Sequence, residues 1–199
     1  MAYPKSIQDL IEEFSKFPSI GPKSAERFVF YLLQKSPGYL EEFLVKIRNL
    51  KEIKNCSICG NITEGKICAI CTNQKRDRAT VCVVANVPDL IAIEKIGAYN
   101  GFYHVLGGLI NSIKNIGPDN LRIKELVQRI KQSKPKFNEI ILALNPDLEG
   151  ETTSLYLKKI LIPFGIKITK LARGLPMGAD LIYADEVTLS EALKARKAV

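Results

Sequence analysis

No apolar run in this chain approaches the roughly 18 residues that a membrane-spanning helix needs, and the opening "MAYPKSIQDLIEEF" lacks the basic-then-apolar order of a secretory signal. A cytoplasmic protein without a membrane partner is therefore expected. Histidine occurs once, as His104 in "FYHVLGG". With no serine or cysteine nucleophile in a recognisable motif, that ring is expected to be structural. A nucleotide P-loop is also missing: the motif needs Gly directly before Lys, and Pro22 separates Gly21 from Lys23, while Lys16 and Phe17 hold the place of its first Gly. ATP hydrolysis is not expected. For the same reason "LIYADE" (181–186), an apolar run ending in acids, reads as an arm packing on a neighbour and not as part of a nucleotide site.

Cysteine is scarce, with five in 199 residues, yet four of them fall within "CSICGNITEGKICAIC" (56–71). A hydrophobic fraction of 46% and a charged fraction of 25% are ordinary for a globular chain that can bury a core, so disulfides are not needed to replace one. They are also rare in the cytoplasm. Two Cys-x-x-Cys knuckles instead suit Zn²⁺, which favours four thiolates in a tetrahedron. Cys56, Cys59, Cys68 and Cys71 are the expected ligands of one structural zinc, with Gly60 relaxing the turn after Cys59. A redox pair would need one such knuckle beside a βαβ unit. The fifth cysteine, Cys82, lies in the apolar run "VCVV" and reads as core.

Charge points to a polyanion without proving one. The net charge is +8, with 13 Lys/Arg against 9 Asp/Glu in residues 1–78 and 16 against 12 in residues 79–199; such an even spread also describes a solvated surface.

Periodicity divides the chain. Apolar residues recur at helical spacing over 6–17, 23–34 and 38–50, the second helix burying Ala25, Phe28, Val29, Leu32 and Leu33. From residue 79, strand-like runs ("ATVCVVA", "GFYHVL", "NEIILAL", "GIKITKLA") alternate with helical patterns near 89–96, 121–132 and 149–161. That alternation predicts a mostly parallel sheet covered on both faces. The expected architecture is α/β with a helical head: a head over 1–54, a cysteine knuckle over 55–78, an α/β body over 79–175 and a C-terminal arm over 176–199.

"FPSIGPKSAERF" (17–28) joins the first two helices. Gly21 tolerates a positive φ in a tight turn, and Pro22 suits the first position of a helix. The following N-terminus can hold a phosphate, and Lys23 and Arg27, four apart, share one face above it. This is the helix-hairpin-helix pattern, which grips a nucleic-acid backbone without reading sequence; an ordinary helical hairpin is the alternative. A second "IGP" at 116–118 is followed by Asp119 and Asn120, which suit an N-cap and repel an anion.

"ALNPDLEGE" (143–151) carries Asp147, Glu149 and Glu151 between a strand and a helix. It resembles the acidic motif of the Toprim domain of topoisomerases and primases. The resemblance implies a glutamate after the first strand for acid–base chemistry and an Asp-x-Asp pair for Mg²⁺. Here Ala85 stands in place of that glutamate and Asn145 in place of the first aspartate. A site stripped of these groups should bind Mg²⁺ weakly and lack its proton-transfer group, so the acidic site is expected to be degenerate and Mg²⁺ is not an expected cofactor.

Taken in order, "SIGPKSAERF", the four cysteines, "YHVLGG", "NIGPDNLRI", "NPDLEGE", "ARGLP" and "YADEVTL" resemble the RecR family of bacterial recombination mediators across nearly the whole chain. The resemblance implies a helix-hairpin-helix head with Gly21, Lys23 and Arg27 at DNA, a zinc knuckle, a Toprim-like sheet and an arm. It further implies a ring-shaped homotetramer that clamps DNA, no catalytic residues, RecO and RecF as partners, and the loading of recombinase on gapped DNA at the bacterial nucleoid. The rival expectation is a Toprim-type metal-dependent enzyme, topoisomerase- or nuclease-like.

Overall fold

The structure, a computed structural model, describes residues 3–175 and 177–196. Pro176 and residues 197–199 of the expected arm lie outside the described residues. The chain forms two compact units, Met1–Ile53 and Lys54–Val199.

The first unit holds α1 (Lys5–Ser15), α2 (Pro22–Leu33) and α3 (Pro37–Asn49). Proline occupies the first position of both α2 and α3, where its missing N–H costs nothing. The Ser36 hydroxyl caps α3 by accepting the Tyr39 N–H at 3.3 Å. α1 packs against α2, and the Phe14 ring meets Phe28 edge-on with centroids 5.9 Å apart. Burial in this unit is thin. Ala25 and Val29 are buried as the periodicity predicts, but Phe28 and Leu33 are 43% and 57% exposed, and neither α1 nor α3 buries any residue. Helical spacing sets which residues share a face; within the unit only the inner edge of that face finds a cover.

The second unit opens with a two-residue antiparallel pair, β1 (Lys54–Asn55) with β2 (Ile62–Thr63), and the short helix α4 (Ala69–Thr72). Then come β3 (Thr80–Val84), α5 (Val87–Ile96), β4 (Phe102–Val105), α6 (Ile123–Gln132), β5 (Glu139–Ala143), α7 (Leu148–Leu161), β6 (Lys167–Lys170) and α8 (Glu186–Lys194). The four longer strands form one parallel sheet in the order β4-β3-β5-β6.

β3 alternates between two cores, as a strand buried on both faces must. Val81 and Val83 join Leu126 and Ile130 of α6 and Leu157 and Leu161 of α7. Cys82 and Val84 face the other way, to Leu90 of α5 and Tyr103 of β4, with Ile70 of the knuckle packed alongside. Cys82 is thus core, and burial pushes its thiol up to about 12. The second "IGP" opens no α-helix. Asn120 Oδ1 accepts the Gly117 N–H at 2.8 Å and closes a single 3-10 turn, Pro118–Asn120, so the expected N-cap is spent on its own turn and α6 begins only at Ile123.

Candidate metal centre and nucleic-acid interface

The knuckle is built from turns. Gly60 adopts φ +79°, the left-handed conformation expected after Cys59, and its N–H donates to the Cys56 carbonyl at 3.0 Å. In the second knuckle the Cys71 N–H returns to the Cys68 carbonyl at 3.0 Å. The four sulfurs lie within 4.8 Å of one another, with Cys56, Cys59 and Cys68 buried. Two backbone donors point at sulfur: the Cys68 N–H to Cys56 at 3.3 Å and the Asn61 N–H to Cys59 at 3.5 Å. The hydrogen bond from Cys71 draws the Cys59 thiol down to about 5, while the same contact drives Cys71 up. Four close sulfurs, amide donors and no open position fit Zn²⁺ as a structural ion that holds the loop.

The knuckle is docked on the sheet. The Val105 N–H donates to the Cys59 carbonyl at 2.7 Å, and a Cβ on Gly60 would stand 3.0 Å from the Val105 carbonyl. Glycine is needed there for contact as well as for φ. Beside this junction His104 is fully buried, its Nε2 2.8 Å from the Arg122 carbonyl. Burial lowers its pKa to about 4. The folded ring stays neutral where the unfolded one, with an ordinary value of 6.5, takes a proton. Its contribution is complete above pH 6.5 and is lost as pH falls toward 4. His104→Gln keeps a donor at similar reach and removes the titration. Between pH 7.5 and pH 5, urea denaturation should show the wild type losing about 2 kcal/mol more than this variant; equal losses would refute the assignment.

In the first unit, the hairpin differs from expectation in its backbone. The left-handed residue is Ser19 (φ 64°), whereas Gly21 is extended at φ −86° and is the N-cap of α2. The chain reverses two residues earlier than the Ile-Gly-Pro motif suggests. Gly21 contributes by being bare: no side chain caps α2, and a Cβ there would meet nothing within 4 Å. Pro22 has no N–H, and the Ser24 and Ala25 N–H groups both turn back to the Gly21 carbonyl at 3.0 Å. The N-terminus therefore offers the Lys23 N–H and the positive end of the helix dipole. Lys23 and Arg27 are exposed on successive turns, and neither forms an ion pair among the described residues.

The acidic motif is tied up within the chain. Asp147 caps α7, its Oδ1 accepting the Gly150 N–H at 2.8 Å. Glu149 accepts from Asn111 Nδ2 at 3.1 Å. Glu151 pairs with Lys170 at 2.8 Å and with Arg173. A Cβ on Gly150 would fall 1.9 Å from the Asn145 carbonyl, so the turn that carries the motif admits only glycine there. Ala85 is buried, and its carbonyl accepts the Gly107 and Gly108 N–H groups at 2.9 and 3.0 Å. Asp185 of "LIYADE" is likewise a helix cap, accepting the Thr188 N–H at 2.9 Å.

Two arginines escaped sequence reading. Arg76 is buried and forms a two-pronged pair with Glu94, at 2.6 and 2.9 Å, while its Nε donates to the Gly101 carbonyl. It pins the segment leaving the knuckle to α5. Arg129 of α6 reaches the Tyr103 carbonyl at 2.6 Å and lies 5.7 Å from the ring centroids of both Phe102 and Phe137. Desolvation lowers its pKa, with the nearby cysteines acting in the opposite sense. Helical position marks Arg129 only as a surface cation, because its partners lie in other elements.

The chain is an α/β protein that combines a helix-hairpin-helix, a four-cysteine zinc-finger site and a Toprim-type parallel sheet. Residues 79–172 match the Toprim domain, 7–47 the RecR helix-hairpin-helix, 53–73 the RecR four-cysteine zinc-finger domain and 174–197 the RecR C-terminal segment. The chain is 48% identical over 196 residues to the "Recombination protein RecR" of Acidothermus cellulolyticus, covering 98% of each. It is 46% identical over 200 residues to the protein of that name from Bifidobacterium animalis subsp. lactis, covering 100% of this chain and 99% of the relative. The chain belongs to the RecR family.

Proposed function

We propose that the chain is a non-enzymatic, DNA-binding recombination mediator in recombinational repair, acting as an oligomeric clamp. The observation that carries this is the uncapped, proline-led N-terminus of α2 with Lys23 and Arg27 exposed above it. Gly21, Lys23 and Arg27 are the DNA-binding residues. Cys56, Cys59, Cys68 and Cys71 hold one structural zinc per chain. Asp147, Glu149 and Glu151 are remnants of a Toprim site and hold no Mg²⁺. The division of labour follows the four parts: head 1–54, knuckle 55–78, body 79–175 and arm 176–199. RecO and RecF are the proposed protein partners in loading recombinase on gapped DNA, in the cytoplasm at the nucleoid.

Exposed apolar side chains support the oligomer. Phe28, Leu33 and Leu44 in the head, and Ile182 (84% exposed) and Tyr183 (85%) in the arm, are surfaces that a lone chain would leave in water. Head-to-head pairing and an arm crossing to a neighbour would cover them, closing a ring of four. Light scattering at working concentration should give a multimer; a monomer would contradict the clamp.

The Toprim match over 79–172 favours one rival, a metal-dependent strand-cutting enzyme. Supercoiled plasmid incubated with Mg²⁺ or Mn²⁺ distinguishes the two. A mediator leaves it intact while retarding DNA in a salt-sensitive, sequence-independent manner. Nicking above a contaminant control would favour the enzyme, and no retardation at any salt would leave a protein adaptor.

A further inference from the structure

A cleft of about 400 Å³ separates the zinc knuckle from α6 and the residues after it. Neither the hairpin nor the acidic motif contributes to it. Its lining is graded in charge. On the inner side is Arg129, partly buried, with only Nη1 committed among the described residues and its guanidinium held close to two phenyl rings. Farther out, Arg78 and Lys134 line the cleft as cations with no ion pair among the described residues. Gln128 and Gln132 add two amides, each offering donors and an acceptor, and Glu125 adds one carboxylate.

We propose that this cleft is a second nucleic-acid subsite, taking one unstacked nucleotide of a single strand with its base inward on Arg129 and its phosphate at Arg78 and Lys134. A guanidinium plane stacks on any base, and the two amides and Glu125 can meet a base edge. A phosphate alone would use the cations but leave those amides idle, and Glu125 would repel it. An acidic peptide would meet the same objection. A paired base could not enter, because the duplex keeps it in its stack. The proposal rests on the DNA-binding reading above but uses different residues, so the two can fail separately.

The test uses the full-length protein in four forms: wild type, Lys23→Ala/Arg27→Ala, Arg78→Gln/Lys134→Gln, and Arg129→Gln. The probes are an oligothymidylate carrying 4-thiothymidine and a blunt duplex of equal length. Ultraviolet crosslinking to wild type should label peptides within 57–58 and 125–137 as well as the head. Arg78→Gln/Lys134→Gln should weaken single-strand binding about tenfold and flatten its salt slope by roughly 0.7, the share of one phosphate contact. Arg129→Gln should weaken single-strand binding by a similar factor. Both should leave duplex binding within about twofold, since the duplex draws on the hairpin. Crosslinks confined to the head or equal losses on both probes would each overturn the subsite. If the hairpin variant binds duplex like wild type, the hairpin reading falls, and the crosslink map and the cleft variants still decide this one.

Discussion

Lys23→Ala with Arg27→Ala should reduce duplex binding by at least about 100-fold at moderate salt, while zinc content and oligomer size stay unchanged. One hairpin brings two cations and a helix N-terminus, enough for only a few phosphate contacts. Each neutralised phosphate adds about −0.9 to the slope of log K against log salt on duplex DNA. Four hairpins in a ring would sum to a slope of roughly −7, so a lone chain should bind poorly and the assembly steeply with salt. Both side chains are solvent-accessible, and their removal opens no cavity. The control is Lys158→Ala with Lys159→Ala, an equal loss of charge on the exposed face of α7. That change should alter affinity less than about threefold. A hairpin variant that binds duplex like wild type would remove the clamp reading.

Loss of the metal should have the largest effect on folding. The knuckle's own core is Cys56, Cys59 and Cys68, with Ile70 and Cys71 packed against them. Such a segment has little apolar surface to offset its chain entropy. Structural zinc sites supply apparent free energies of about 10–16 kcal/mol, and that energy is folding energy. Cys56→Ser with Cys59→Ser should take zinc from one per chain to none and release the knuckle from β4. The chain should then aggregate on mild heating, as strong chelation of wild type should also make it do. Cys82→Ser, in strand β3 and outside the four-sulfur cluster, should leave zinc at one per chain and cost stability only through a buried hydroxyl. Metal analysis with thermal scans reads both. Full zinc in the double variant would refute the four-cysteine assignment.

The strand–helix alternation, the zinc ligands and the hairpin were legible because each is written in neighbouring residues. Alternation in "TVCVV" marks a strand buried on both faces, and two Cys-x-x-Cys turns place four sulfurs through local backbone geometry. Pro22 with Lys23 and Arg27 fixes a helix start and one charged face. Periodicity did less well where a face needs a cover. Phe28 and Leu33 have helical spacing for burial, yet the first unit leaves both exposed, because spacing orders a face without providing the surface that packs on it.

Side-chain partners were beyond local reading for a related reason. Glu151 meets Lys170 and Arg173, Glu149 meets Asn111, and Arg76 meets Glu94, across separations of 18 to 38 residues. His104 is neutral because the fold buries it completely, and that burial outweighs the Arg122 carbonyl, which favours the proton. The order of residues alone dictates which chemical groups the chain carries and the local turns that present them: four thiolates, two hairpin cations and three carboxylates. Which of these are engaged depends on the packing of distant segments. The hairpin cations remain exposed, while the carboxylates are taken up by a cap, an amide and two cations. A charge's availability depends on what the fold places within a few ångströms of it, and that is set by contacts between segments far apart in the chain.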